Sequence, residues 1–210
     1  MVEAVYEYAS SFKPFEVEAE VKKLLSRGVN HEEILNSLRK ALLHTYELYR
    51  EGVYGLPHLS AMVTIFHMAL TAMGDRVKPK EDAPRVLMGT LGSIHYIGKD
   101  IIKCFYMAEG FNVLDLGENL LAEDFIREVE KFHPQVVAIS IFLTNALNEL
   151  EKLVAYLNSK NLRSKVKVII GGAVANDQVA SKYGVDGWGR DPGMAVKLVY
   201  EMLERIHRGE

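Results

Sequence analysis

One cysteine, one tryptophan and six prolines in 210 residues remove several classes of protein at once. A single thiol, Cys104, closes no intrachain disulfide, and it furnishes no multi-cysteine zinc or iron–sulfur site within one chain. No collagen-like or low-complexity tract interrupts a chain that is 49% hydrophobic and 25% charged, so disorder and fibrous structure are excluded. Charge of neither sign dominates. The 25 Lys and Arg against 28 Asp and Glu leave a net charge of -3, which argues against a broadly nucleic-acid-binding surface. No uninterrupted apolar run approaches the roughly 20 residues that span a bilayer. The opening Met1-Val2-Glu3-Ala4-Val5-Tyr6-Glu7 carries acids and no basic n-region, so it does not read as a secretory signal. The expectation is a cytoplasmic protein with neither nucleic acid nor membrane as partner.

What is present divides into two halves of different periodicity. Residues 1–80 are helical in pattern. An early short helix carries Val17, Val21, Leu24 and Leu25 and ends at Gly28. Asn30, with Glu33 as capping-box partner, opens a second on which Ile34, Leu38, Leu42, Thr45 and Tyr49 recur at helical spacing. Pro57 suits the first turn of a third, whose apolar positions include Met62, Ile65, Phe66, Ala69, Leu70 and Met73. That helix is apolar around much of its girth, as a central bundle helix would be, or as a face covering a cofactor or partner. Val77–Pro84, charged and holding two prolines, reads as a linker between domains 1–80 and 85–210.

After Pro84 the pattern changes. β-Branched runs at Arg85–Gly89, Phe111–Leu116, Val136–Ser140, Val166–Ile170 and Gly184–Gly187 alternate with helical stretches near 98–109, 122–132, 144–160, 175–182 and 191–207. Continuous apolar strands separated by helices predict a parallel sheet covered on both faces, hence a doubly wound α/β domain. Ligands in such folds sit beyond the carboxyl ends of the strands.

The chemistry-bearing residues gather at those ends. The segment from Gly89 to Asp100 holds Gly89, Gly92, Gly98 and a histidine, His95, before a helix. Its glycines match neither the dinucleotide fingerprint nor the phosphate loop, because Asp100 stands where a magnesium-binding hydroxyl belongs. Strand three ends with Ser140 inside an apolar run, and Thr144 or Asn145 is positioned to cap the next helix. Gly171-Gly172 ends strand four, where the pair either turns the chain tightly or lets a ligand lie against the backbone. Asp191 is an N-cap with Pro192 at the first helical position. Ser140 is on no Gly-x-Ser-x-Gly elbow, and no acid completes a hydrolytic triad. His58 and His67 share no metal-binding spacing, and Cys104 within a helix reads as a small buried hydrophobe.

These strand-end residues resemble the cobalamin-binding module of corrinoid methyl-carrier proteins and of methionine synthase. The family signature, Asp-x-His-x-x-Gly, then Ser-x-Leu, then Gly-Gly, is matched here by Ser93-Ile94-His95-Tyr96-Ile97-Gly98, Ser140-Ile141-Phe142 and Gly171-Gly172. Ile97-Gly98-Lys99-Asp100, the stretch from Gly110 to Gly117, and Gly184-Val185-Asp186-Gly187 are similar to family text. The segment from Tyr49 to Leu59 is similar to the junction of two helices in the family's helical cap, although the cap here looks short of a full first helix.

The resemblance implies a flavodoxin-like, Rossmann-like sheet of five strands in the order 2-1-3-4-5, preceded by a helical bundle cap. It implies cobalamin or a related corrinoid bound base-off, with His95 as lower axial ligand to cobalt. Ser93, Ile94, Tyr96, Ile97 and Gly98 surround that ligand. The nucleotide tail would touch Gly98, Ser140, Phe142, Thr144, Gly171 and Gly172, while Met62, Phe66 and Leu70 of the cap would cover the upper corrin face. The implied activity is methyl carriage between a substrate-specific methyltransferase and a corrinoid:acceptor methyltransferase acting on a thiol or pterin, with self-association or docking through the cap and displacement of the cap to reach cobalt. Two residues depart from the signature. Ser93 replaces the aspartate that holds the ligand histidine, and Phe142 replaces a leucine, narrowing the tail channel or repacking the core. The first departure motivates an alternative, a corrinoid-binding or sensing protein without methyl transfer.

Overall fold

The computed structural model describes residues 2–209; Met1 and Glu210 lie outside the described residues. The chain divides into two compact units, 1–80 with 108–110, and 81–107 with 111–210.

The first unit is built from α1 (Glu3–Ser10), α2 (Pro14–Ser26), α3 (His31–Arg50) and α4 (Leu56–Met73), followed by a 3₁₀ turn at Gly74–Val77. Periodicity predicts three helices here; α1 is the fourth. It buries only Val5 and Ala9, one i,i+4 pair, which is too little to stand out as an apolar stripe. Asn30 caps α3 as expected, but by accepting the Glu32 N–H at 3.0 Å. The reciprocal capping-box bond from Glu33 is not formed among the described residues. Pro57 falls in the first turn of α4, where His58 Nδ1 accepts the Gly55 N–H at 3.1 Å. By length and composition the segment Leu56–Val77 passes for a membrane span, with mean hydropathy 1.3. Its residues Leu59, Met62, Ile65, Phe66, Ala69, Leu70 and Met73 are buried, and α4 packs against α2 and α3, as a core helix does.

The second unit is a parallel sheet ordered β2-β1-β3-β4-β5, as predicted. Its strands are β1 (Arg85–Leu91), β2 (Asn112–Asp115), β3 (Val136–Ile141), β4 (Lys167–Gly171) and β5 (Gly187–Trp188). The helices between and after them are α5 (Ile97–Ala108), α6 (Ala122–Phe132), α7 (Leu147–Ser159), α8 (Asp177–Tyr183) and α9 (Pro192–Arg208). Alternation along the strands feeds two cores. Leu87, Leu91, Val137, Ile139, Ile141, Val168 and Ile170 meet α6, α7 and α8. Val86, Met88, Val136, Ala138 and Ile169 meet α5 and α9 through Tyr106, Ala195, Val199 and Met202.

Most boundaries shift by one or two residues from expectation, and three of the differences bear on the strand ends. β1 runs on to Leu91, so Gly89 lies in the strand and not in the loop. A Cβ there would stand 2.4 Å from Leu120 Cδ1 and 2.9 Å from Phe125 Cζ, so this glycine makes room for α6 and its approach. β5 begins at Gly187 because Gly184 closes α8 in the left-handed conformation, φ 64°. Thr144 and Asn145 belong to a 3₁₀ turn (Thr144–Ala146), and α7 starts only at Leu147, with Ala146 as its N-cap. Asp191 caps α9 as predicted, its Oδ1 accepting the Met194 N–H at 2.9 Å.

Candidate functional site

Strand β1 stands between β2 and β3, so successive crossovers leave it in opposite directions and a crevice opens beyond its carboxyl end. The loop that follows, Gly92–Tyr96, lies at that switch point. Gly92 turns the chain with φ 55°. Ser93 is buried, and its carbonyl accepts the Asn119 N–H at 2.8 Å, which ties the loop to the β2–α6 connection. His95, two residues on, is exposed.

The imidazole is held at one nitrogen. Ser93 Oγ lies 2.7 Å from His95 Nδ1 and also accepts the His95 backbone N–H at 3.2 Å. A ring that binds a metal through Nε2 carries its proton on Nδ1. Ser93 Oγ then accepts both N–H groups, which its two lone pairs allow. Phe142, the first residue past β3, stacks on the ring with centroids 3.7 Å apart and planes 7° from parallel. Ile94 and Tyr96 flank the histidine and are exposed, Ile94 at 71%.

One level deeper, register aligns Thr90 with Ser140 and Ser140 with Gly171. Alternation puts all three on the α5/α9 face of the sheet. Thr90 is fully buried and its hydroxyl has no hydrogen-bond partner, an uncommon arrangement that a polar ligand group would relieve. Sequence reasoning passed over Thr90 because a threonine in a strand is unremarkable; its signal is register with Ser140. Gly172 adopts φ 98°, and a Cβ on it would lie 2.5 Å from the Ile141 carbonyl oxygen. Gly98, in the first turn of α5, has open space where a Cβ would be. Ile97 is half-buried, and Thr144 is exposed on its 3₁₀ turn. Met62, Phe66 and Leu70 belong to α4 in the first unit, where all three are buried.

Family-like text around the loop turns out to be structural. Lys99, whose side chain is 3% exposed, pairs with Asp100 at 2.7 Å and Asp115 at 2.6 Å, and Lys103 reaches Asp115 at 3.0 Å. Burial favours the neutral lysine, but bonds to Asp100 and Asp115 outweigh it and hold Lys99 above its ordinary value. Burial likewise works against the Asp115 carboxylate, yet the Lys99 bond and the Gly117 N–H hold it below the usual range. Asp115 therefore contributes stability above the unfolded carboxylate value, about 3.9, and loses it as pH falls through its lowered folded value. The Lys99 contribution is present below about 10.4 and fades as pH rises through its raised value. Asp115→Asn is expected to cost about 2 kcal/mol at pH 7, because it leaves a buried ammonium short of one partner. Urea unfolding at pH 7 and near pH 3 checks this, since the gap between variant and parent should shrink at the lower pH. An equal gap at both would show that charge is not the cause. Cys104 behaves as read: it is fully buried, and burial pushes its thiol up to about 12.

These features fit the corrinoid that the resemblance implies. Among the described residues the outer nitrogen of His95 has no hydrogen-bond partner, Phe142 stacks on the ring, and the neighbouring strand ends carry Gly171, Gly172 and the orphaned Thr90 hydroxyl. Among the described residues no group of three His, Cys, Asp or Glu side chains gathers that could hold a metal ion.

Comparison with known proteins agrees. Residues 84–197 match the B12 binding domain family. Dimethylamine corrinoid protein 3 of Methanosarcina acetivorans is 30% identical over 213 residues, covering 97% of this chain and 89% of that protein. Among solved structures, a cobalamin-binding protein from Desulfitobacterium hafniense superposes with TM-score 0.74 at 24% identity, covering 96% of this chain and 98% of that one. A chain of the methanol:cobalamin methyltransferase complex MtaBC from Methanosarcina barkeri gives TM-score 0.71 at 22% identity, covering 97% and 79%. At these identities the two structures show the shared fold.

Proposed function

This chain belongs to the B12-binding domain family, and from that premise we propose that it is a corrinoid protein of a methyltransferase system, carrying a methyl group between two partner enzymes. The observation that carries the reading is His95 at the switch point, pinned at Nδ1 by Ser93 with Nε2 unengaged. When bound, the corrinoid supplies a cobalt centre that takes up and releases the methyl group; the protein binds, orients and shields it. His95 would ligate the cobalt, and Ser93 would set the tautomer and ring plane of that imidazole. Ile94, Tyr96 and Phe142 give the surface around the ligand its apolar character. Thr90, Ser140, Thr144, Gly171 and Gly172 receive the nucleotide tail, with Gly98 leaving the start of α5 open to it.

One partner is a substrate-specific methyltransferase, in keeping with the MtaBC complex. The second is a methyltransferase that passes the group to a thiol or pterin. Met62, Phe66 and Leu70, buried in the first unit, are the residues proposed to cover the corrin. The exposed Phe15, Val53 and Leu56 offer apolar contacts for self-association. The cytoplasm is the proposed location.

Reconstitution with hydroxocobalamin followed by removal of free cofactor tests the proposal. Stoichiometric retention is expected, followed, once the bound cobalt has been reduced to Co(I) with titanium(III) citrate, by methylation in the presence of a methylamine- or methanol-specific methyltransferase and its methylated substrate. A folded protein that retains nothing overturns the reading. Retention without methylation by any such enzyme favours a corrinoid-binding or sensing protein, for which the uncharged Ser93 is the motivating feature.

Ser93 brings no charge to the histidine, whereas a carboxylate there raises donor strength. Ser93→Asp is therefore expected to tighten cobalamin binding by about tenfold. Equilibrium titration checks it; unchanged or weaker binding would show that the buried Ser93 position cannot carry a carboxylate usefully.

A further inference from the structure

We propose that Phe142 is a positioning residue for His95, its ring face supplying part of the electrostatic support that the uncharged Ser93 withholds; this rests on the cofactor assignment above. Three observations point there. Phe142 is 40% exposed, although it follows the buried Ile141 directly and the core has other large side chains in plenty. A phenyl ring kept at the surface against one partner is not filling a core. Its partner is the imidazole alone among ring contacts, at 3.7 Å and 7°. Finally, the stack is closer than the parallel Tyr54–His58 stack in the first unit, whose centroids are 4.3 Å apart at 4°. Aromatic pairs favour offset or edge-to-face arrangements with centroids about 4.5–7 Å apart, because the faces of both rings are negative. A close parallel stack becomes favourable when one ring is electron-poor.

A histidine that donates its Nε2 lone pair to a metal becomes such a ring. Positive character spreads over the imidazole, and a phenyl face beside it attracts that charge as it attracts a cation. The stack is also compatible with ligation. The Nε2 lone pair points outward in the ring plane, and a group lying parallel to the face leaves that direction open. Ser93 fixes the ring by its edge at Nδ1 and Phe142 fixes it by its face, so the two contacts together define both the position and the plane of the imidazole. Leucine at 142 would keep an apolar side chain, three carbons smaller, and lack the quadrupole.

Phe142→Leu, Phe142→Tyr and Phe142→Trp separate these effects, since leucine removes the ring while tyrosine and tryptophan keep one at a partly exposed position. In the cofactor-free protein, proton NMR of the His95 ring should show upfield ring-current shifts that Phe142→Leu abolishes and the aromatic variants keep. In the protein loaded with cob(II)alamin, electron paramagnetic resonance reads the nitrogen superhyperfine splitting of an axial imidazole. Phe142→Leu is expected to lower the histidine-ligated fraction and to weaken cobalamin retention by about tenfold, the scale on which groups behind a metal ligand act. The aromatic variants should restore both. A Phe142→Leu protein with parental splitting and retention overturns the proposal. So do aromatic variants as impaired as leucine, because shape and not the ring face would then be responsible. If the parent protein itself retains no cobalamin, the cofactor assignment fails, and the ring-current shifts in the free protein still decide whether Phe142 fixes the imidazole.

Discussion

Replacing His95 with alanine should leave a folded protein that loses its cobalt ligand. The side chain is exposed and its contacts are one hydrogen bond to Ser93 and one stack on Phe142, so stability should change by no more than about 0.5 kcal/mol. Cofactor binding should respond on a different scale. Among the described residues no cluster of three His, Cys, Asp or Glu side chains could hold the metal once that nitrogen is lost. Retention after gel filtration is expected to fall by at least about tenfold, and the ultraviolet–visible and paramagnetic signatures of axial nitrogen to vanish. Added imidazole should bring the nitrogen signature back without restoring full retention, because a free base pays the entropy that a tethered one does not. Retention and spectrum unchanged by His95→Ala would keep the cofactor and remove the axial assignment.

Gly172→Ala should injure the fold itself. At φ 98° an L-residue is strained, at a cost of about 1–3 kcal/mol. The added Cβ would also meet Ile141 backbone atoms at 2.5, 2.9 and 3.0 Å, all within a central strand that cannot swing aside as a side-chain tip can. Overpacking of that kind costs about another 1–3 kcal/mol. A combined loss near 3 kcal/mol is a large share of the 5–15 kcal/mol typical of a domain, and chemical denaturation would register it directly. Gly98→Ala is the control, since its Cβ meets nothing within 4 Å and its backbone is helical. That variant should match or slightly exceed parental stability. A weakened cofactor titration with Gly98→Ala would then report ligand approach to α5 alone. Parental stability in Gly172→Ala would mean that the β4–α8 turn relaxes freely, and the cradle would lose its physical basis.

The parallel sheet was legible because β1, β3 and β4 carry continuous apolar runs, which a sheet covered on both faces requires. The order of its strands came from the resemblance carried by His95, Ser140 and Gly171-Gly172. Helix α1 was not legible, since Val5 and Ala9 make a single apolar step in eight residues. The loop from Gly89 to Asp100 was read as one unit because glycine, as a letter, does not say whether it permits a turn or a close approach. Gly92 does the first and Gly89 the second.

By itself, then, the sequence determined the class of the fold, the helical first half and the histidine on which the proposed function rests. These are properties of short segments, set by spacing and residue type. Only the tertiary structure decided what stands next to that histidine. Ser93 reaches Nδ1 because Gly92 turns the loop, and Phe142, 47 positions away, meets the ring because β1 and β3 are neighbours in register. The partnerless Thr90 hydroxyl and the buried Lys99–Asp115 pair arise in the same way. Contacts between residues distant in the chain depend on which strands pair and in what register, and no local pattern carries that information.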